Sequence, residues 1–249
     1  MLNAGTMSVL SVSERILMME PIGIVHSCFK EKFGIPRQAG LAPAARAEVE
    51  LFNPYGSDAA VRGLGAFSHI WVIFLFHECA GKSWRDTVRP PRLGGNRRMG
   101  VFATRSGFRP NALGMSAVRL EKISMSPPPV RLLISGADLL DKTPVLDIKP
   151  YVPYSDCLSG ARGGFASEPP PESMSVVFSK EAEAVCRDRT ADIPLLRDLI
   201  VQMIQGDPRP AYYGRRPKKN SFGTRIYDLE VKWECREDRA VVTLIEPAG

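Results

Sequence analysis

The segment HIWVIFLFH, residues 69–77, decides the fold, because almost every residue in it is apolar and either β-branched or aromatic. Such residues favour the extended backbone of a strand. A short apolar run without polar alternation is typical of a strand that is buried on both faces. We therefore predict a central strand here, and two polar residues, His77 and Glu78, stand at its end.

Shorter strand-like segments surround this run, and turn residues such as Ser-Pro-Pro-Pro at 126–129 separate them. One helix is predicted over residues 57–64, with Ser57 as its N-cap and Gly65 as its stop. Many short strands with few helices favour a closed or half-closed barrel, so the predicted fold class is mainly β with a small β-barrel. The other strands of this region are predicted over residues 21–26, 47–52, 100–104, 117–123, 130–134 and 145–148.

The chain changes character after the barrel region, and we divide it into four parts. Residues 1–19 are expected to be a disordered extension, residues 20–155 the barrel, residues 156–173 a linker or loop, and residues 174–249 a smaller C-terminal α+β domain. Ser179 and Gly206 are the predicted start and stop signals of two helices in this last domain. Its predicted elements are a strand over 174–178, helices over 179–187 and 194–205, and strands over 225–234 and 240–245 around a hairpin turn at 236–239.

Composition and charge set outer limits on function. The 249 residues carry a formal net charge of +6 at pH 7, a modest basic excess that fits an anionic partner. The five cysteines include no CxxC pair, which favours reduced thiols in a cytoplasmic protein over disulfides or zinc. The three histidines lack metal-ligand spacing, and neither a secretory signal nor a membrane-spanning run is recognisable. We expect no metal and no membrane.

Arginine is concentrated in two zones that contain no acidic residue. Residues 88–116, VRPPRLGGNRRMGVFATRSGFRPNALGMS, hold six arginines, and residues 209–225 hold a second basic group interleaved with Tyr212, Tyr213 and Phe222. Because guanidinium groups bind phosphate and aromatic rings stack on unpaired bases, these zones favour a nucleic-acid partner over a merely solvated surface. Single-stranded or looped RNA fits better than duplex DNA, because the sequence shows no recognition-helix pattern.

Three polar loops are ambiguous from the residues alone. His77 and Glu78 either point into a cleft or are a strand end that meets solvent. The loop GIPRQAGL, residues 34–41, either approaches a ligand through the backbone near Gly40 or is a plain surface loop. Asp138, which closely follows an apolar strand, is a general base, a cation acceptor or a turn cap. A dinucleotide or P-loop site is excluded, because RLGGN follows Pro-rich sequence and precedes a strand.

Five motifs together resemble the tRNA methyltransferase O family, whose members are also called TsaA-like proteins. They are KEKFGIPRQAGL, VRGLGAFSHIWVIFLFHE, TVRPPRLGGNRRMGVFATRSGFRPNALGMS, DLLDKTPVLDIKPYVPY and, in the tail, DPRPAYYG. They occur in the family's order and cover most of residues 20–155 plus the tail motif, so a chance similarity is implausible. Ala39 and Ala112 stand where the family usually has proline, and we expect neither change to remove activity.

The resemblance implies a methyltransferase that does not use the common Rossmann-type fold. Family members transfer a methyl group from S-adenosylmethionine to N6 of threonylcarbamoyladenosine (t6A) at position 37, in the anticodon loop of tRNA, and they act as homodimers. The candidate bases for the N6 proton are Asp138, Glu78 and His77. Matched motif by motif, the implied cofactor-binding residues are Gln38, Ala39, Gly40, Leu41, His77, Glu78, Arg105, Ser116, Gly136, Ala137, Asp138 and Leu139.

The two arginine zones supply the predicted tRNA-binding residues. We expect Arg97→Ala to weaken tRNA binding and Arg105→Ala to damage cofactor binding or turnover. Arg109 has a second interpretation, in which it fixes the turn between strands. Two other functions remain open: a non-catalytic RNA-binding barrel, and a methyltransferase of the same fold with another substrate. The predicted tRNA-binding set is Arg97, Arg98, Arg109, Arg209, Tyr212, Arg215, Arg216, Lys218 and Lys219.

Overall fold

The computed structural model describes residues 18–170, 174–209, 220–236 and 239–249, and its first part contains a closed antiparallel barrel. The strands of this part are β1 (Gly23–Ser27), β2 (Arg46–Leu51), β3 (His69–Leu75), β4 (Thr87–Val88), β5 (Met99–Gly100), β6 (Leu113–Ser124), β7 (Arg131–Ser135) and β8 (Pro144–Pro150). The barrel follows the order β1-β2-β7-β6-β3-β8 and closes by pairing β8 with β1. Strands β4 and β5 form a separate two-stranded ribbon.

Strand β3 occupies the central apolar run, and it pairs with β6 on one side and with β8 on the other. The strand prediction is therefore confirmed. The expectation of burial on both faces is wrong, because burial alternates along β3 between fully buried and partly buried residues. One face fills the barrel interior while the other is partly covered. The interior residues are Ile70, Val72 and Phe74, joined by Val25, Val49, Leu132, Ile134 and Val145 from the other strands.

Most barrel strands lie where the sequence predicts them, but two predicted elements are wrong. Residues 57–64 do not form an α-helix. The Ser57 hydroxyl accepts a hydrogen bond from the Ala60 amide at 3.3 Å, as an N-cap does. However, Gly63 adopts a left-handed φ of 85°, and this ends the series of turns before a helix is established.

The second difference concerns residues 100–104, which are not a strand. Only Met99–Gly100 pairs, within the ribbon, and Val101–Ala103 is a single 3-10 turn. The Thr104 hydroxyl donates to the Val101 carbonyl at 2.8 Å and closes this turn. The chain therefore leaves the ribbon and enters an irregular loop, where a continuous strand was expected.

The C-terminal part is a four-stranded sheet with two helices packed against it. The elements after the barrel are α1 (Pro153–Asp156), β9 (Ser175–Phe178), α2 (Lys180–Asp188), α3 (Leu196–Gln205), β10 (Ser221–Ile226), β11 (Leu229–Arg236) and β12 (Arg239–Pro247). Their sheet order is β10-β11-β12-β9, with β9 parallel to β12. Within the described residues, none of the helices is long and apolar enough to cross a membrane.

Two sequence signals in this domain have different outcomes. Ser179 caps α2 as predicted, since its hydroxyl accepts a hydrogen bond from the Ala182 amide at 3.1 Å. The prediction of one strand over 225–234 is wrong. Tyr227, with a φ of 53°, lies in a tight turn that separates β10 from β11.

The loop between β1 and β2, residues 28–45, packs against the C-terminal domain. Phe29 forms a β-bridge with Ile226, and the Thr224 hydroxyl donates to the Phe33 carbonyl at 2.6 Å. The buried cluster that results contains Cys28, Phe29, Ala42, Ala44 and Ala45 from the loop, together with Leu199, Ile200, Met203 and Trp233 from the C-terminal domain. The loop is therefore part of a hydrophobic core.

Gly34 shows how closely the two parts fit. It adopts a φ of 93°, and a β-carbon at this position would lie 2.8 Å from the sulfur of Met203. A larger residue here would be strained by the backbone conformation, and it would also require the Met203 side chain to shift. The loop 34–41 is therefore attached to the C-terminal domain at Gly34, while Arg37, Gly40 and Leu41 are exposed.

Candidate active site

A cavity of about 660 Å³ opens at the end of the barrel where β3 stops and β6 begins. Leu75 at the end of β3 pairs with Leu113 at the start of β6, so these two ends lie side by side. The remaining walls come from the loop 28–45, the loop 104–109 and the turn after β7. All three polar loops that are ambiguous in the sequence therefore meet at one cavity.

Aromatic side chains form the apolar part of the cavity wall, and glycines make room for them. Phe74 and Phe76 meet edge to face, with ring centroids 5.0 Å apart. A β-carbon at Gly114 would overlap the Phe74 ring, and a β-carbon at Gly107 would lie 2.9 Å from Cγ of Phe76. Both glycines in RSGFRPNALG are therefore required by packing against these rings.

A short hydrogen bond joins Ser116 on β6 to Asp138 in the turn after β7. The buried Ser116 hydroxyl donates to Oδ1 of Asp138 at 2.6 Å. Burial raises the pKa of Asp138, while the Ser116 hydroxyl, backbone amides including that of Ala39, and the charge of Arg105 act in the opposite direction. Asp138 is therefore a cavity carboxyl with an increased affinity for a proton.

Two left-handed glycines bring the loop 28–45 against the turn after β7. The Gly40 amide donates to the Gly136 carbonyl at 2.8 Å, and their φ angles are 81° and 69°. A β-carbon at Gly136 would already lie 3.4 Å from Cα of Gly40. This close backbone approach allows the Ala39 amide to reach the carboxylate of Asp138.

Two polar pairs lie at the exposed rim of the cavity. Nζ of Lys32 lies 2.6 Å from Oε2 of Glu78, and each side chain is about half exposed. This hydrogen-bonded ion pair lowers the pKa of Glu78. On the other side, Nη1 of Arg105 donates to Oε1 of Gln38 at 2.5 Å. The rim therefore carries the ionised carboxylate of Glu78, paired with Lys32, and the guanidinium of Arg105, which is hydrogen-bonded to the side-chain amide of Gln38.

His77 contacts the buried hydroxyl of Thr143 across a long distance of 3.5 Å from Nδ1. The same hydroxyl donates its proton to the Leu140 carbonyl at 2.7 Å, so towards His77 it can only accept. This arrangement favours a proton on Nδ1 of His77, and the free lone pair of the neutral ring is then on Nε2.

The predicted cofactor-binding residues separate into two groups. Those that line the cavity are Gln38, His77, Glu78, Arg105, Ser116, Asp138 and Leu139. Ala39, Gly40, Leu41, Gly136 and Ala137 are not part of the lining. Ala137 belongs to the barrel core, and Ala39, Gly40 and Gly136 act through their backbones, as described above.

Sequence reasoning missed most of the apolar lining. Phe74 illustrates the reason, because it belongs to the barrel core cluster and its apolar character does not distinguish the two roles. The available signal was the glycines Gly107 and Gly114, since glycine in a β-rich segment indicates a close approach. The lining residues that were missed include Phe74, Phe76, Phe108, Leu113, Met115, Leu140 and Thr143.

The predicted RNA-binding arginines differ in how free they are. Arg97 is exposed, and Arg98 is also exposed although its Nη1 donates to the Thr87 hydroxyl at 2.9 Å. Both guanidinium groups can therefore meet a phosphate. Five further predicted residues, Tyr212, Arg215, Arg216, Lys218 and Lys219, lie outside the described residues.

The other two arginines of the set are held by the protein itself. Nη1 of Arg109 donates to the carbonyls of Thr104 and Ser106 at 3.1 and 3.2 Å. Arg109 therefore fixes the loop 104–109, which agrees with the prediction that it holds the turn between strands. Arg209 forms a two-point ion pair with Asp207, and its side chain is 12% exposed. These contacts use part of the donor capacity of each guanidinium, so Arg109 and Arg209 are less free to meet a phosphate than Arg97 is, and their role in tRNA binding stays a prediction.

Comparison with known proteins gives consistent matches over both parts of the chain. The profile of the tRNA-methyltransferase O N-terminal domain matches residues 24–157, and that of the TrmO C-terminal domain matches residues 171–248. The chain is 43% identical over 228 residues to the tRNA (adenine(37)-N6)-methyltransferase of Escherichia coli K12, which covers 92% of this chain and 97% of that protein.

Two Pseudomonas aeruginosa proteins extend this similarity. The chain is 49% identical over 233 residues to one whose name describes an S-adenosylmethionine-dependent methyltransferase, with 93% and 97% of the two chains covered. The fold is similar to the crystal structure of TrmO from P. aeruginosa, with a TM-score of 0.77, 41% identity, and coverage of 94% of this chain and 99% of that one. The chain therefore belongs to the tRNA methyltransferase O family.

Proposed function

We propose that the protein is an S-adenosylmethionine-dependent tRNA methyltransferase that acts on N6 of t6A at position 37 and yields N6-methyl-t6A. The names of the E. coli and P. aeruginosa relatives support a tRNA adenine-37 N6-methyltransferase and this cofactor. The choice of t6A as the acceptor is supported by the motif resemblance and by the chemistry of the cavity.

The cavity lining fits S-adenosylmethionine in size and in chemistry. Its volume of about 660 Å³ lies within the usual range of small-molecule sites. Phe76 and Phe108 would hold the flat adenine ring. Lys32 and Arg105 at the rim would bind the amino acid carboxylate. When bound, the cofactor supplies an activated methyl group.

The observation that carries the proposal is the position of Asp138 in the wall of this cavity, where its carboxyl accepts a hydrogen bond from the Ser116 hydroxyl at 2.6 Å and burial raises its pKa. The N6 atom of t6A bears a carbamoyl group that delocalises its lone pair, so loss of the N6 proton makes it a far better nucleophile. A carboxylate with a raised pKa accepts that proton more readily than an ordinary one. Asp138 is the proposed acceptor of the N6 proton, directly or through water. The new bond joins N6 to the methyl group, while the bond from the methyl group to the cofactor's sulfur would break and leave its electron pair on the sulfur.

The other two candidate bases are given different roles. Glu78 is a weaker base than usual, because its ion pair with Lys32 lowers its pKa. We assign it to charge balance and ligand orientation at the rim. His77 presents Nε2 as its lone pair if the Thr143 contact fixes the tautomer, so it can accept a hydrogen bond from the ligand.

The tRNA is proposed to lie across the exposed arginines Arg97 and Arg98, with residues 174–249 supplying the second basic zone. Homodimer formation and a cytoplasmic location are proposed from the resemblance. Near the cavity, Phe102 is 74% exposed and Met115 is 52% exposed. Such exposed apolar side chains support the proposal that a partner surface covers this part of the molecule.

The proposal is tested with labelled S-adenosylmethionine and two preparations of one tRNA, with and without the threonylcarbamoyl group. We expect label only in the t6A-containing tRNA, with N6-methyl-t6A identified by nucleoside mass spectrometry. Robust labelling of the tRNA without the group would indicate another substrate. Tight tRNA binding without thermal stabilisation by S-adenosylmethionine would indicate a non-catalytic RNA-binding barrel.

A further inference from the structure

We propose that a second cavity beside the candidate active site binds an anionic group of the acceptor RNA, either a carboxylate or a phosphate; this inference rests on the proposed function. The cavity has a volume of about 660 Å³ and lies on the β4–β5 ribbon. Its charged lining consists of Arg85, Arg89, Arg98 and Asp86.

The charges of this cavity favour an anion. Three guanidinium groups face one carboxylate, and none of the ion pairs among the described residues includes Arg85, Arg89 or Arg98. Guanidinium groups bind carboxylates and phosphates through two parallel hydrogen bonds, so a planar or tetrahedral oxyanion is the ligand that this lining suits.

Two of the three arginines are already held in position. Nη1 of Arg98, the residue before β5, donates to the Thr87 hydroxyl on β4 at 2.9 Å. The guanidinium of Arg85 lies 4.5 Å from the centre of the Phe108 ring, and the Arg85 amide donates to the Phe108 carbonyl at 3.1 Å. Such prior fixation reduces the entropy lost when a ligand binds.

Arg89 is different, because its exposed side chain has no hydrogen bond, ion pair or ring contact among the described residues. Its donors are therefore available to an arriving anion. A substitution at Arg89 removes a charge from the cavity without breaking a contact within the protein. It is for this reason the most informative position to change.

The second cavity is joined to the candidate active site through a common wall. Ser106 and Phe108 line both cavities. A base whose N6 atom lies in the first cavity has two anionic groups nearby, the carboxylate of its own threonyl substituent and the phosphates that flank it. We assign the second cavity to the acceptor and not to the cofactor, because Arg105 and Lys32 in the first cavity already provide for the cofactor carboxylate.

Arg62→Ala is the matched control for Arg89→Ala. Arg62 is also exposed, but its neighbour Gly65 faces Ile123 near the far end of β6, away from the cavities. Fluorescence anisotropy at several salt concentrations gives the dissociation constant of each variant for t6A-containing tRNA and for the same tRNA without the threonylcarbamoyl group. Calorimetry with S-adenosylmethionine checks that the first cavity is intact.

We expect Arg89→Ala to weaken binding of t6A-containing tRNA by roughly fivefold or more, as loss of a hydrogen bond to a charged group does. Arg62→Ala should change it less than about twofold, within the range of neutral surface substitutions. A loss confined to t6A-containing tRNA identifies the carboxylate. An equal loss for both tRNAs, with a salt slope smaller by about 0.7 to 0.9, identifies a phosphate.

Unchanged binding of both tRNAs by Arg89→Ala and by Arg89→Glu would overturn the second site. Methylation of t6A-containing tRNA by the unmodified protein is measured in parallel, so that failure of the anion site can be distinguished from failure of the proposed function. If it methylates t6A-containing tRNA while both variants bind normally, only the anion site fails. If it does not methylate the tRNA but Arg89→Ala still weakens binding, the anion site stands and the proposed function fails.

Discussion

The wall and the rim of the candidate active-site cavity each hold a carboxyl group, and their surroundings shift the pKa values of the two groups in opposite directions. In the wall, Asp138 is partly buried and accepts a hydrogen bond from Ser116, and burial raises its pKa. At the rim, Glu78 is about half exposed and paired with Lys32, which lowers its pKa. Environment alone separates a group suited to take a proton from one suited to remain charged.

This contrast assigns different tasks to the two regions of one cavity. In the proposed mechanism the wall accepts the N6 proton, and the rim orients charged ligands. Changes in the wall should therefore affect the rate and its pH dependence. Changes at the rim should leave the pH dependence unchanged, and removal of a cation there should weaken ligand binding. Four substitutions test this division, and the largest effect is expected in the wall.

The largest effect is expected for Asp138→Asn, which keeps the shape but removes the proton acceptor. We expect the single-turnover methylation rate to fall by roughly 10²- to 10⁴-fold, the usual contribution of general base catalysis. Calorimetry should show S-adenosylmethionine affinity within a few-fold of that of the unmodified protein. A near-normal rate would mean that positioning alone drives the reaction.

Thermal unfolding provides the control for this variant. Because the pKa of Asp138 is raised in the folded state, the folded chain binds this proton more tightly than the unfolded chain does. The ionised carboxyl therefore reduces stability progressively as the pH rises through its folded-state pKa. Asp138→Asn should unfold at pH 8 no earlier than the unmodified protein, and a lower melting temperature would attribute the lost rate to misfolding.

Arg105→Ala comes next, and its main effect should be on cofactor affinity. The substitution removes a cation and its hydrogen bond to Gln38 at the rim. We expect S-adenosylmethionine to bind on the order of tenfold more weakly, measured by calorimetry. Arg97→Ala is the matched comparison, since it should weaken tRNA binding and leave cofactor affinity unchanged. If Arg105→Ala and Arg97→Ala reduced cofactor affinity equally, or tRNA affinity equally, the separate roles proposed for the rim and for the exposed arginines would be contradicted.

A smaller effect with a specific signature is expected for Ser116→Ala. The Ser116 hydroxyl stabilises the ionised form of Asp138, so its removal raises the pKa of that carboxyl further. The acidic limb of the pH–rate profile should move to higher pH, with the rate at high pH largely retained. An unchanged acidic limb would show that Asp138 does not control it.

The smallest effect is expected for Glu78→Gln, because exposed ion pairs contribute little to binding free energy. We expect methylation rate and cofactor affinity to change by less than about threefold, with no movement of the acidic limb. Single-turnover assays across pH provide the check. A loss of methylation rate as large as that expected for Asp138→Asn would indicate that Glu78 at the rim, and not Asp138 in the wall, accepts the proton.

Much of the barrel was predictable, because strand signals such as those of residues 69–75 and 130–134 are local. The failures are also local in origin. Ser57 does cap a turn, but only a few residues separate it from Gly63, too few to repay the cost of nucleating a helix. At residues 225–234 the β-propensity was real, and the only turn residue at the break is Asp228, which follows Tyr227 without a glycine or proline beside it.

The site was predictable where polar residues follow strands, and not where packing across the chain decides. Asp138 and Glu78 could be named because a carboxylate after an apolar run is visible in the sequence. The attachment of residues 28–45 to the C-terminal domain depends on contacts such as Gly34 with Met203, which no local pattern encodes. The second cavity is another example, since Arg85 and Arg98 line it together only once the chain has folded.

The most direct test of the division is the single-turnover methylation rate of t6A-containing tRNA as a function of pH, for the unmodified protein and for Asp138→Asn. For the unmodified protein we predict a rate that falls on the acidic side with an apparent pKa above the ordinary aspartate value of about 3.9. For Asp138→Asn we predict a low rate without that acidic limb. An acidic limb that persists unchanged in Asp138→Asn would contradict the assignment of the proton to Asp138.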